Sequence, residues 1–172
     1  MNTRKLVRCA LIAALYAAVS LALAPFSFGP MQVRVSEALT LLPVLCADAV
    51  PGVALGCFVT NLAGVFTGAN VLGALDIVLG TGATLAAAVC TRALRGVRVK
   101  GLPLAAAVPP VVFNAVIVGG ELAAVFGPRT PAGFLLQAAW VALGEAIACC
   151  ALGLPLVRLI EKTPALRAQF EG

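Results

Sequence analysis

The sequence predicts an all-α integral membrane protein: six transmembrane helices, both termini cytoplasmic, one domain over residues 1–172. Three observations carry that expectation. Hydrophobic residues make up 62% of the 172 and charged residues 11%, against roughly 45–50% and about 25% in soluble domains. Mean hydropathy is +1.07. Apolar runs close to the ~20 residues that cross a bilayer recur along the chain, and the basic residues fall between them in a one-sided pattern. The net charge of +5 comes with too little polar surface for a soluble domain, a disordered tail or a nucleic-acid partner.

The first helix is expected over Cys9–Ala24, behind Arg4, Lys5 and Arg8. Its basic start and the closing Ala22-Leu23-Ala24 resemble a signal peptide. Pro25 after the potential cut, and the equally apolar later runs, favour a retained span. The stretch from Val35 to Phe66 is too long for one span, and Pro43, Asp48, Pro51 and Gly52 break it near the middle. It reads as two short helices, Ser36–Cys46 and Pro51–Phe66, with a turn around Asp48. The remaining helices are expected over Val71–Leu94, Leu102–Phe126 and Pro131–Ile160, the last with a basic end that leaves the bilayer as helix. In the fifth, Pro109-Pro110 is expected to interrupt the helix one turn before Asn114.

Charge parity tests the division. With six spans and the N-terminus inside, Arg4, Lys5, Arg8, Arg92, Arg95, Arg98, Lys100, Arg158, Lys162 and Arg167 are cytoplasmic, and only Arg34 and Arg129 are outside. One span over Val35–Phe66 would send the Arg92–Lys100 loop outward, against the positive-inside rule. The chain carries no G-x-x-x-x-G-K-[ST] phosphate-binding pattern, so ATP hydrolysis would need a partner.

Six cysteines lie scattered in apolar runs and histidine is absent. Neither a metal nor a cofactor is expected, and no nucleophile–base pair points to an enzyme. Polar residues inside spans are the informative ones, because each is costly in lipid. Glu37, Asn61, Asp76, Asn114, Glu121 and Gln137 gather in the outer half, which suggests a pocket opening outward; of these Asn114 lies nearer the middle, as does Glu145. Asn114 and Glu121, seven apart, share a helix face, as do Gln137, Trp140 and Gly144. An amide, an indole and a gap on one face could hold a flat ring. Asp76 and Glu121 are expected at one depth with no Lys or Arg beside them, and Glu37 is expected to pair with Arg34 one turn earlier. Rows of small residues invite close helix approach: Ala10, Ala14 and Ala18; Ala13 and Ala17; Gly52 and Gly56; Gly64 and Gly68.

One stretch is distinctive: Ala24-Pro25-Phe26-Ser27-Phe28-Gly29-Pro30-Met31-Gln32-Val33-Arg34-Val35-Ser36-Glu37-Ala38-Leu39-Thr40-Leu41-Leu42-Pro43. With the preceding Ala14-Leu15-Tyr16-Ala17-Ala18 and the later Asn61-Leu62 and Asp76-Ile77-Val78-Leu79-Gly80, it resembles the QueT family of queuosine-precursor transporters. The resemblance implies a substrate-binding (S) component of an energy-coupling-factor importer. Such a protein sits in the plasma membrane of a prokaryote and works with a transmembrane coupling protein and two ATPase subunits. It implies a coupling face on the first helix, at Ala10, Ala14 and Ala18 or at Ala13 and Ala17, and a 7-deazaguanine ligand, most often the 7-aminomethyl form. The expected binding residues are Glu121, Asp76, Asn114, Asn61, Gln137, Trp140, Glu37, Gln32 and Arg34, under a lid formed by Pro25–Arg34. Another vitamin-like ligand is the alternative.

Overall fold

The computed structural model describes residues 3–29 and 32–170; Pro30 and Met31 of the expected lid lie outside the described residues. No strand occurs among the described residues. The helices are α1 (Thr3–Ala22), a short α2 (Ala24–Ser27), a 3-10 helix (Val35–Val44), α3 (Ala49–Phe66), α4 (Ala74–Ala93), α5 (Val108–Val125), α6 (Pro131–Ala146), α7 (Leu154–Lys162) and α8 (Pro164–Phe170). A π-helical segment, Ile147–Gly153, joins α6 to α7.

Among the described residues, five stretches are long and apolar enough to cross a membrane: Thr3–Ala22, Ala49–Phe66, Ala74–Gly96, Leu104–Val125 and Pro131–Lys162. Each overlaps an expected span, four of them within three residues at either end, while the first starts six residues earlier than expected. The last, at 1.5 Å per residue, is about 48 Å long, well beyond the ~30 Å hydrocarbon layer. Pro155 comes two residues after the π segment ends. A proline inside a helix removes a backbone donor and crowds the preceding turn, and a wider turn is one way to absorb it.

The expected second helix is the exception. It is ten residues of 3-10 helix with Pro43 inside it, too short to count as a span by length. The tighter winding rises ~2.0 Å per residue, so ten residues cover about 20 Å. Its position explains how so short an element persists. From Ser36 to Val44 every residue is buried, and the helix touches α1, α3, α4, α7 and the π segment. Ser20 near the end of α1 meets Ser36 at 2.5 Å, and Arg8 near its start meets Asp48 at 3.1 Å. The element therefore runs antiparallel to α1 over most of its length. Its irregular carbonyls are taken up by side chains: Thr40 Oγ1 donates to Glu37 O, and Arg92 Nη1 donates to Pro43 O and Val44 O. Protein, not lipid, surrounds it, the condition under which irregular backbone is tolerated at membrane depth.

The proline pair behaves differently from expectation. Pro109 and Pro110 are buried in the first turn of α5, after a 3-10 turn over Leu104–Ala107. They start the α-helix, where a missing N–H costs nothing, and do not break it. The two alanine rows of α1 separate cleanly. Ala13 and Ala17 are buried, whereas Ala10, Ala14 and Ala18 are exposed beside Leu11 and Leu15. Gly52 lies against Ile12 and the Cys9 carbonyl of α1 and Gly56 against Tyr16 and the Ala13 carbonyl, and a Cβ at Gly56 would come within 2.6 Å of Tyr16 Cβ. This glycine pair and the buried row are thus internal packing between α1 and α3. An apolar core of Leu39, Leu42, Ala49, Val53 and Ile160 fills the end of the bundle nearest Arg8 and Asp48.

Candidate functional site

The other end of the bundle is polar inside. Its organiser is Asp76 in the first turn of α4, which begins after Gly73 at φ +67°. Arg34 Nη2 donates to Asp76 Oδ2 at 2.6 Å and Asn70 Nδ2 donates to the same oxygen at 2.9 Å. Asn61 Nδ2 of α3 donates to the Asp76 carbonyl at 2.7 Å. A Cβ at Gly80 would lie 1.9 Å from Asp76 Oδ1, so glycine is required one turn on for the carboxylate to lie along the helix. Asn70 also accepts from the backbone N–H of Leu72, which shapes the turn entering α4.

Arg34 is not an outer-loop residue. It is 3% exposed, its Nε donates to Ser27 O, and its guanidinium stands 6.0 Å from the Phe28 ring centre. Two expectations change. Asp76 has a buried cation after all, and Arg34 pairs with Asp76 and not with Glu37. Helical spacing within one segment could not show this, because Asp76 is 42 residues away. Glu37 instead accepts from the Tyr16 hydroxyl and, at 3.4 Å, from Thr84 Oγ1.

The expected lid is packed down in the described part. Ser27, Phe28, Gln32 and Arg34 are buried, and Phe26 is exposed. Phe28 fills the space over Gly64, and Val33 closes on Gly144 of α6. The gap expected at Gly144 is therefore occupied by the chain itself. Trp140 is 41% exposed on the outside of α6 and Gln137 is half-buried. Of the face foreseen for a flat ring, the indole is exposed and the glycine is covered.

The remaining expected residues do converge. Gln32, Glu37, Asn61, Asp76, Asn114 and Glu121 are all buried. Arg34 and Asp76 are within electrostatic reach of Glu121. Tyr16, Asn70, Thr84 and Glu145 join them and were not anticipated as site residues. Glu145 is 2% exposed; its charge inside a span was visible in the sequence, but its depth set it apart from the outer group. Tyr16 is the chain's one tyrosine, a polar tip inside an apolar helix. Asn70 was the hardest to see, since an asparagine between Gly68 and Gly73 reads as an ordinary turn.

The cluster's hydrogen bonding is lopsided. Among the described residues, seven of its buried acceptor atoms lack a partner: Gln32 Oε1, Glu37 Oε2, Asn61 Oδ1, Asp76 Oδ1, both Glu121 oxygens and Glu145 Oε2. Only two of its donors do, Gln32 Nε2 and Asn114 Nδ2. Buried polar atoms are nearly always satisfied, and each one left over costs on the order of 1–3 kcal/mol. A molecule bringing many donors and few acceptors would complete this site. A cavity of about 690 Å³ opens at the opposite end, between α1 and α8, with mostly apolar walls including Leu11, Leu39 and Leu156; it does not reach these groups.

A family model described as QueT transporter matches residues 6–162 of the 172-residue chain. No curated protein and no solved structure matches the chain.

Proposed function

The chain belongs to the QueT transporter family, and from that premise we propose that it is the membrane-embedded substrate-binding component of an energy-coupling-factor importer for a 7-deazaguanine. Its role is transport and not catalysis. The observation that carries the ligand reading is the excess of unsatisfied acceptors over donors in the buried cluster. A 7-aminomethyl-7-deazaguanine offers ring and exocyclic N–H donors and an ammonium group, against few acceptors. The acidic residues around the cluster suit the positive charge.

In this reading the 3-10 helix crosses as a sixth, protein-wrapped span. Both termini then lie on the cytoplasmic side of a prokaryotic plasma membrane, with ten of the 12 basic residues. The exposed row Ala10, Ala14 and Ala18 is the face for a transmembrane coupling protein, which two ATPase subunits drive; the buried row Ala13 and Ala17 has no room for one. The buried side chains of Phe28, Gln32 and Arg34 would move aside for ligand to enter, which makes their connection a lid.

Two experiments test this. Calorimetric titration of the detergent-solubilised protein with the aminomethyl compound should give saturable binding with one site. Silence in that titration, with another small molecule co-purifying by mass spectrometry, would replace the ligand. In a background without the six native cysteines, a thiol at position 69 should label from outside and one at position 97 only from inside. Reversed labelling would overturn the six-span topology.

A further inference from the structure

The unsatisfied carboxylate oxygens are not equivalent, and their arrangement divides the site. Glu121 has both oxygens free on one rigid carboxylate, a fork that matches two adjacent parallel N–H donors. Glu37 and Glu145 each contribute one unpartnered oxygen, Oε2 in both, from different elements. Glu37 sits on the 3-10 helix and Glu145 at the end of α6 that leads into the π segment, which packs against the 3-10 helix. Cys149, one turn after Glu145, donates its thiol to Glu37 O at 3.6 Å and lies 3.8 Å from Thr40 Oγ1. Glu37 is within electrostatic reach of Glu145. Both residues are at least nine-tenths buried, as is Asn114, whose side chain lies beside Glu145.

Among the described residues no cation forms an ion pair with either carboxylate. Arg34 is the one positive group near them among the described residues. Its Nη2 is held by Asp76 at 2.6 Å, its Nε by Ser27 O, and its Nη1 points to Cys57 Sγ at 3.9 Å. Tyr16 and Thr84 reach only the other oxygen of Glu37. Two buried carboxylates with one shared weak neighbour are strongly unfavourable when both are charged. Single unpartnered oxygens from two separate elements within electrostatic reach of each other suit a tetrahedral ammonium, whose three donors diverge, better than a planar edge.

We infer that Glu145 and Glu37 form a subsite for a primary ammonium group on the ligand, separate from the donor edge read by Glu121. This rests on the deazaguanine reading above and names which residues would select the charged substituent. The test uses two 7-deazaguanines that differ only in that substituent, aminomethyl and nitrile, titrated into wild type, Glu145→Gln and Glu145→Asp. The neutral variant should lose on the order of thirtyfold or more in affinity for the aminomethyl compound, as expected when a buried charge pair loses one partner. It should change by no more than about threefold for the nitrile, which makes no such pair. Glu145→Asp keeps the charge and should retain the preference for the aminomethyl compound. It also serves as the readout should Glu145→Gln fail to fold. Equal losses for both compounds, or unchanged preference in the neutral variant, would overturn the subsite while leaving the ligand class standing. Wild-type protein that binds neither compound would overturn both.

Discussion

The two ends of the 3-10 helix are built from the same ten residues of backbone and behave in opposite ways. At its last turn Leu41, Leu42 and Val44 are buried in apolar clusters, and Arg92 satisfies the carbonyls of Pro43 and Val44. At its first turn Ser36, Glu37 and Thr40 are just as buried, yet Glu37 keeps an oxygen without a donor, among Asn61, Asp76, Glu121 and Glu145 with the same deficiency. One end is complete in itself. The other leaves buried acceptors without donors. Burial alone does not distinguish a core from a binding site; unsatisfied hydrogen bonding does.

The contrast can be broken at several points. The largest effect is expected for Asp76→Ala, which strands Arg34 in the protein interior. Removing one partner of a buried ion pair costs about 3–5 kcal/mol, so thermal unfolding in detergent should shift steeply downward with or without ligand. A variant as stable as wild type would show that Arg34 is compensated elsewhere. Glu121→Gln sits beside that pair but has no donor to lose. Stability should hold or rise, while affinity for the aminomethyl compound falls by about 2–5 kcal/mol in a titration. Equal damage to folding would move Glu121 from ligand recognition to structure.

The apolar end should respond to volume and not to charge. Gly56→Ala adds one methyl group 2.6 Å from Tyr16 Cβ, and overpacking of this kind costs about 1–3 kcal/mol. Denaturation of the solubilised protein measures it, and no loss would mean that α1 and α3 can separate freely. The smallest effect on the isolated protein is expected at Ala14, on the exposed row. Ala14→Trp should leave stability within about 0.5 kcal/mol and leave ligand binding intact, but abolish uptake in cells that contain the coupling machinery. If binding falls with uptake, the exposed row is not an independent coupling face.

The way the site was and was not legible follows the same division. Glu37, Asn61, Asp76, Asn114 and Glu121 could be picked out because a polar side chain in an apolar run is conspicuous, and helical spacing put Asn114 and Glu121 on one face. Trp140 shows that spacing defines a face without saying where that face points. It lies on the outer surface of α6, while Gly144 one turn later takes Val33 against its backbone. Arg34 was misread because a loop residue was assumed to stay at the membrane surface. Its long side chain reaches inward to Asp76, a partner whose distance in sequence carries no periodic signal.

The sequence by itself determined that the chain is helical, where the five long spans lie, and which polar side chains would be expensive. These follow from composition, run length and local spacing, all properties of neighbours along the chain. Only the tertiary structure decided that the second helix winds as a buried 3-10 element, that Ala13 and Ala17 pack inward while Ala14 faces out, and that Arg34 neutralises Asp76. Each depends on which surfaces meet across tens of residues. In lipid that choice is made by close packing and by pairing of buried polar groups, because hydrophobicity no longer separates inside from outside.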